Sequence, residues 1–171
     1  MRAYFLTTKR TGFSHWQESD MPLAYSLWGE PEVTRYICAS GMFTDTEIEK
    51  RLRLEIENYY NYGIQYFPFF QLESEQLIGC CGLRPYGVCD NAYELGFHLR
   101  KDFWRQGYGF EAASAMIDYA FSTANAIELH AGHNPKNTAS RSLLLKLGFQ
   151  YVKDEFYAPT GLYHPSYIMQ K

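Results

Sequence analysis

Trp104-Arg105-Gln106-Gly107-Tyr108-Gly109-Phe110-Glu111-Ala112 stands between an alternating run that ends near Leu99 and a helical pattern with Phe110, Ala113, Ile117, Ala120 and Phe121 on one face. Two glycines at this junction let the chain turn tightly and leave backbone amides unobstructed. A helix starting here adds unpaired N–H groups and positive potential, which suit a phosphate or pyrophosphate. The bland reading is a tight strand-to-helix turn, because Gly-x-Gly before a helix is a common one. Two nucleotide motifs are excluded. No GxxxxGK[ST] is written, and the third glycine of a dinucleotide fingerprint is missing, as is its parallel βαβ context.

Working outward, residues 65–72, 76–83 and 92–99 read as the strands of an antiparallel meander. Pro68 cannot donate to a ladder, so its strand should lie at an edge or carry a bulge there. Residues 3–8 and 12–17 read as short strands, and Asp20-Met21-Pro22 opens a helix to about Trp28. Thr44 and Glu47 have capping-box spacing for a helix with the stripe Ile48, Leu52, Ile56 and Tyr59, stopped by Gly63. Beyond the glycine junction come a helix from Gly107 to about Thr123, a strand at 127–131, and a helix at 138–147 closed by Gly148. Strands at 151–156 and 162–169 complete the chain. The expected class is α/β (α+β): one domain spanning residues 1–171, with a mixed, mostly antiparallel central sheet and helices on both faces.

A length of 171 residues fits one domain with a full core, and 46% hydrophobic residues argue against disorder. A formal charge of −3 gives no basic field for nucleic acid. The first ten residues lack the apolar core of a signal peptide and no run approaches membrane-spanning length, so a cytoplasmic protein is expected. Cys38, Cys80, Cys81 and Cys89 have no metal-ligand spacing and read as incidental or buried thiols, and no metal is expected.

Asn134-Pro135-Lys136-Asn137-Thr138-Ala139-Ser140-Arg141 ends a strand and opens a helix. Either Asn137 or Thr138 caps that helix, or Asn137 and Ser140 face a ligand. In the strand 92–99, alternation puts Glu94, Gly96 and His98 on one face, opposite Tyr93, Leu95, Phe97 and Leu99. The aromatics Tyr59, Tyr60, Tyr62, Tyr66, Phe67, Phe69 and Phe70 read mostly as core and sheet surface, with an acceptor pocket as the alternative. Glu73, Glu75, Glu47, Glu49, Glu55 and Glu57 read as a solvated face.

The order strand, Trp-x-x-Gly-x-Gly, helix, strand, Asn-x-x-Ser, helix, Gly-Phe resembles the GNAT superfamily of N-acetyltransferases, and most of all its ribosomal-protein N-terminal acetyltransferase branch. The resemblance covers nearly the whole chain, through Glu30 to Tyr36, Leu77-Ile78-Gly79, Glu94-Leu95-Gly96, Trp104 to Ala112 and Asn137 to Phe149. It implies acetyl-CoA as cosubstrate and a primary amine as acceptor: a peptide N-terminus, or a small molecule such as a polyamine, aminoglycoside or amino acid. A non-catalytic acyl-CoA sensor is the alternative from another class. The resemblance further implies that amides of Arg105, Gln106, Gly107, Gly109 and Phe110 hold the CoA pyrophosphate, and that Phe97, His98 and Leu99 lie along the pantetheine. Asn137 joins the CoA-binding set. Many members have a Tyr acid where this chain has Leu144, so that role would pass to Ser140. Glu94 is the first candidate base and His98 the second.

Overall fold

The computed structural model describes residues 2–87 and 90–171, so Cys89 lies outside the described residues. A hairpin of β1 (Leu6–Thr7) and β2 (Thr11–Phe13) leads through a loop to α1 (Met21–Trp28), the short α2 (Pro31–Thr34) and the long α3 (Asp45–Tyr62). The meander follows as β3 (Tyr66–Gln71), β4 (Leu77–Pro85) and β5 (Ala92–Leu99). After it come α4 (Tyr108–Ser122), β6 (Glu128–Gly132), α5 (Thr138–Leu147), β7 (Gln150–Tyr157) and β8 (Leu162–Gln170). The strands form one sheet in the order β1-β2-β3-β4-β5-β6-β8-β7, antiparallel throughout except at β5–β6. This is the mixed architecture expected from the sequence.

Two cores lie on opposite faces of the sheet. One holds Phe67, Phe69, Cys81, Leu83 and Leu95 against Ala112, Ala113 and Met116 of α4 and Leu144 of α5. The other holds Trp16, Leu27, Trp28, Ile48, Leu52, Tyr66 and Cys80 beneath α1 and α3. Cys80 and Cys81 are both buried, one in each core, while Cys38 is partly exposed.

Local signals explain the helix ends. Thr44 Oγ1 accepts the Glu47 N–H, the Glu47 carboxylate accepts the Thr44 N–H at 2.7 Å, and Gly63 closes α3 in the left-handed region. The register of β3 on β4 shifts between Phe69 and Phe70, next to Pro68. β2 ends opposite Phe69, and Ser14 N–H donates to the Pro68 carbonyl at 3.0 Å. Pro68 therefore sits where its missing donor has no ladder to serve.

Three expectations need correction. The second strand stops at Phe13 rather than residue 17, because the Trp16 N–H is taken by Gln65 Oε1 and its indole N–H by the Tyr66 carbonyl. The buried stripe of α4 is Tyr108, Ala112, Ala113, Met116 and Ala120; Phe110 is 36% exposed with Lys146 Nζ 4.5 Å from its ring. Glu55 is not solvated: it is fully buried and paired with two arginines. No helix among the described residues is long and apolar enough to cross a membrane.

Candidate active site

The parallel pairing of β5 with β6 covers only Ala92, Tyr93 and Glu94 against Glu128, Leu129 and His130. Beyond Glu94 the two strands part, while β6 stays paired with β8 as far as Gly132. The opening continues into a cleft of about 690 Å³, lined by Glu94, Gly96, Phe97, His133, Asn137 and Ser140 among others. Arg100 N–H donates to the Ile78 carbonyl, so alternation along β5 turns the main chain of His98 toward β4 and that of Phe97 and Leu99 toward the opening. The Leu99 carbonyl already accepts the Trp104 indole N–H at 2.8 Å.

The glycine junction lies on from this strand. Arg105 and Gly107 both have positive φ, 59° and 83°, and Gly107 caps α4. The backbone N–H groups from Arg105 to Phe110 have no acceptor among the described residues; the next one, Glu111 N–H, bonds the Gly107 carbonyl. This run of free donors at a helix N-terminus fits a polyphosphate. Gly109 serves differently from expectation. A Cβ there would point at Leu143 (3.3 Å) and Leu99 (3.6 Å), inside the α4–α5 packing and away from an approaching anion.

The sequence reading missed what holds the junction in shape. Arg10 donates through Nη1 to the Gln106 carbonyl (3.1 Å) and through Nε to Glu111 Oε2 (2.7 Å), with its guanidinium 4.2 Å from the Tyr108 ring centre. Thr8 Oγ1–H and Arg10 N–H donate to the other Glu111 oxygen at 2.6 and 2.9 Å. Burial works against ionising Glu111, but the hydrogen bonds from Thr8 and Arg10 hold its carboxyl below the usual range.

On the α3 side, Glu94 Oε1 accepts the Tyr66 hydroxyl at 2.7 Å, and Oε2 has no partner among the described residues. Gly96 is required here, because a Cβ would lie 2.2 Å from the Tyr66 hydroxyl end. The space beside Gly96 is thus filled by Tyr66, the one member of the aromatic run that lines the cleft. Burial pushes the Tyr66 hydroxyl well up, and the Glu94 carboxylate adds to this. Its proton stays on at neutral pH.

His98 does not suit the roles expected of it. Its Nδ1 lies 3.1 Å from the Trp28 indole nitrogen, which donates to it, and burial holds the imidazole well below its ordinary range, aided by Arg51 and Arg84. The ring is fixed through Nδ1 by Trp28 while still lining the cleft, and its main chain serves β4. Asn137 Oδ1 caps α5 by accepting the Ser140 N–H at 3.1 Å. The Asn137 amide and the Ser140 hydroxyl still line the cleft. Leu144, one turn further along α5, is 1% exposed and lines it too.

Two further groups at the cleft carry no sequence motif. His133 Nδ1 lies 2.8 Å from the Asn134 carbonyl and Nε2 lies 3.2 Å from the Tyr167 hydroxyl. His130, opposite Glu94 where the strands part, stacks on Tyr86 at 3.9 Å and contacts Glu128 Oε1 at 2.9 Å. Only the sheet register brings His130 opposite Glu94 and His133 to the same cleft.

Comparison with known proteins identifies the family. Residues 10–150 match the family model described as an acetyltransferase (GNAT) domain. An uncharacterized N-acetyltransferase, p20, of Bacillus licheniformis is 30% identical over 146 residues, covering 85% of this chain and 82% of that protein. A ribosomal L7/L12 alpha-N-protein acetyltransferase solved with coenzyme A superposes with a TM-score of 0.83 at 12% identity, covering 98% of each chain. A spermidine N-acetyltransferase from Vibrio cholerae, solved with CoA and spermine, gives 0.78 at 14% identity over 95% and 96% of the two chains. With a family model matching most of its length, the chain belongs to the GNAT family of acetyl-CoA-dependent N-acetyltransferases.

Proposed function

We propose that this chain transfers an acetyl group to a primary amine delivered beside Glu94, with CoA extended from the α4 N-terminus along β5. The observation that carries the reading is the alignment of three features. The open main chain of Phe97 and the free Oε2 of Glu94 share the cleft, and the free amides from Arg105 to Phe110 follow at the start of α4, on from the end of β5.

In this arrangement the Arg105, Gln106, Gly107, Gly109 and Phe110 amides hold the pyrophosphate, and Asn137 offers its amide N–H groups from the start of α5. Bound acetyl-CoA supplies the acetyl group as a thioester. The neutral amine attacks the carbonyl carbon, so that a C–N bond forms and the C–S bond breaks. The Phe97 N–H faces the carbonyl oxygen as charge grows there, which is worth most in a site already built to receive it. Glu94 Oε2 takes the proton the nitrogen loses, while the Tyr66 hydroxyl on Oε1 fixes the carboxylate. Ser140 Oγ–H donates to the departing sulfur and recovers its proton from water, a role that Leu144 cannot fill.

The solved neighbours include an enzyme for a protein α-amine and one for spermidine, so fold likeness alone does not choose between a peptide N-terminus and a small amine. Thiol release from acetyl-CoA with a panel of both acceptor types tests the reading, followed by mass-shift localisation of the acetyl group. Glu94→Gln keeps the shape and removes the basicity. It is expected to lower kcat/KM by about 10²-fold or more. Tight CoA binding with no thiol release for any amine would instead identify a sensor.

A further inference from the structure

The α3 wall of the cleft holds more positive charge than its buried partner needs. Glu55 is fully buried, and its Oε1 accepts both Arg51 Nε, at 3.0 Å, and an Arg84 Nη. Its Oε2 accepts the Tyr66 N–H at 2.8 Å. Two guanidinium groups therefore share one carboxylate. Both arginines line the cleft, and their side chains keep 14% and 23% exposure. Apart from the bonds to Glu55, their N–H groups have no acceptor among the described residues, and of these only Arg84 Nε is out of reach in the interior.

Glu94 acts on Arg84 through space but does not pair with it directly. Arg84 and Glu94 are direct cross-strand partners in the β4–β5 register, on the same sheet face. Yet Glu94 forms no salt bridge among the described residues and takes the Tyr66 hydroxyl instead. The Tyr66 ring lies between them, with the Arg84 guanidinium 4.4 Å from its centre and that of Arg51 5.4 Å away. The cleft thus presents a carboxylate oxygen and unpaired guanidinium donors side by side, on one wall, held apart by a buried ring.

We propose that Arg84 and Arg51 form an anion subsite next to Glu94, so that the acceptor is a zwitterion of the free α-amino acid type. The inference rests on the acetyltransferase reading above. In such an acceptor two bonds separate the nitrogen from the carboxyl carbon, which matches neighbouring cross-strand side chains. The amine meets Glu94 and the carboxylate meets the guanidinium fork, a planar donor set suited to it. A polyamine would bring a second ammonium against the arginines, and a peptide N-terminus would offer them only a neutral carbonyl.

The test uses the intact wild-type protein and thiol release from acetyl-CoA. The probes are the L-amino acids, the carboxamide of each, spermidine, and a tetrapeptide with a free N-terminus. For the best acid–amide pair, kcat/KM for the acid is expected to exceed that for the amide by about 10-fold to 100-fold, mainly through KM, as a charge-assisted contact gives. Arg84→Lys, which keeps a charge near Glu55, is expected to shrink the acid-to-amide ratio by raising KM for the acid more than KM for the amide. Equal kinetics for acid and amide, or turnover confined to spermidine or the tetrapeptide, overturns the subsite and leaves the acetyltransferase reading intact. No release with any probe overturns both.

Discussion

The α4–α5 side and the α3 side of the molecule offer polar donors of different kinds. On the α4–α5 wall the donors are main-chain amides from Arg105 to Phe110, fixed by left-handed conformations at Arg105 and Gly107. On the α3 wall they are side chains, Arg51, Arg84 and Glu94, held by the buried Glu55 and Tyr66. A main-chain site keeps its chemistry when neighbouring side chains change, whereas a side-chain site is respecified by one substitution. This division suits an enzyme family with a common donor and varied acceptors: the solved neighbours above share the fold at 12% and 14% identity and carry names with different acceptors.

The sharpest way to break the comparison is to remove the hub of the side-chain wall. Glu55→Gln leaves Arg51 and Arg84 without their buried counter-charge, a change that typically costs about 3–5 kcal/mol. Urea unfolding should show a loss of that size. A loss under about 1 kcal/mol would mean that water already solvates both arginines. On the other wall, Gly107→Val forces a β-branched residue into positive φ, at a cost of about 1–3 kcal/mol. Because that strain falls on the amides themselves, calorimetry should show CoA binding at least about 10-fold weaker, with little change in the acceptor KM for whatever turnover remains.

Acid sensitivity should also divide between the walls. His98 on the side-chain wall and His133 at the cleft are held neutral by burial, below their ordinary value near 6.5. In the unfolded chain they take up a proton near pH 6.5, so below that pH the unfolded state binds more protons and stability falls. The loss continues down to their lowered folded values, at no more than about 1.4 kcal/mol per pH unit for each group. Glu111, lowered instead, loses its contribution only in the acid range below about 4.5. Urea midpoints at pH 7.5 and 5.5 should therefore differ in wild type and differ less in His98→Gln. The smallest effect expected is that of Ser140→Ala, a fall in kcat of about 2-fold to 10-fold with the KM for acetyl-CoA nearly unchanged. A pure KM effect would reduce Ser140 to a residue of the helix start.

The main-chain wall was the legible one. Gly107, the capping-box pair Thr44 and Glu47, and Gly148 announce local conformations, and local conformation is what a one-dimensional pattern encodes. The face shared by Glu94, Gly96 and His98 also followed from alternation alone. Glu55 was misread because a glutamate on a charged helix carries no sign of the arginine that will approach it from 29 positions away. Tyr66, His130 and His133 were hidden for the same reason: their neighbours are set by strand register and not by spacing in sequence. His98 kept its predicted face, but burial beneath Trp28 could not be read from that face.

The bond from Arg10 to the Gln106 carbonyl spans 96 positions, and the one from its backbone N–H to Glu111 spans 101. Most of the sheet assembles from sequence neighbours, so this clasp is among the most distant contacts in the chain, and distant contacts are the slow ones to close. The glycine turn at the start of α4 then cannot hold its final shape in a half-folded molecule. In a refolding experiment, ligand binding should appear with the slowest phase, after the meander has formed its hydrogen bonds. A destabilising change in the first ten residues would reach this turn before it reached the core.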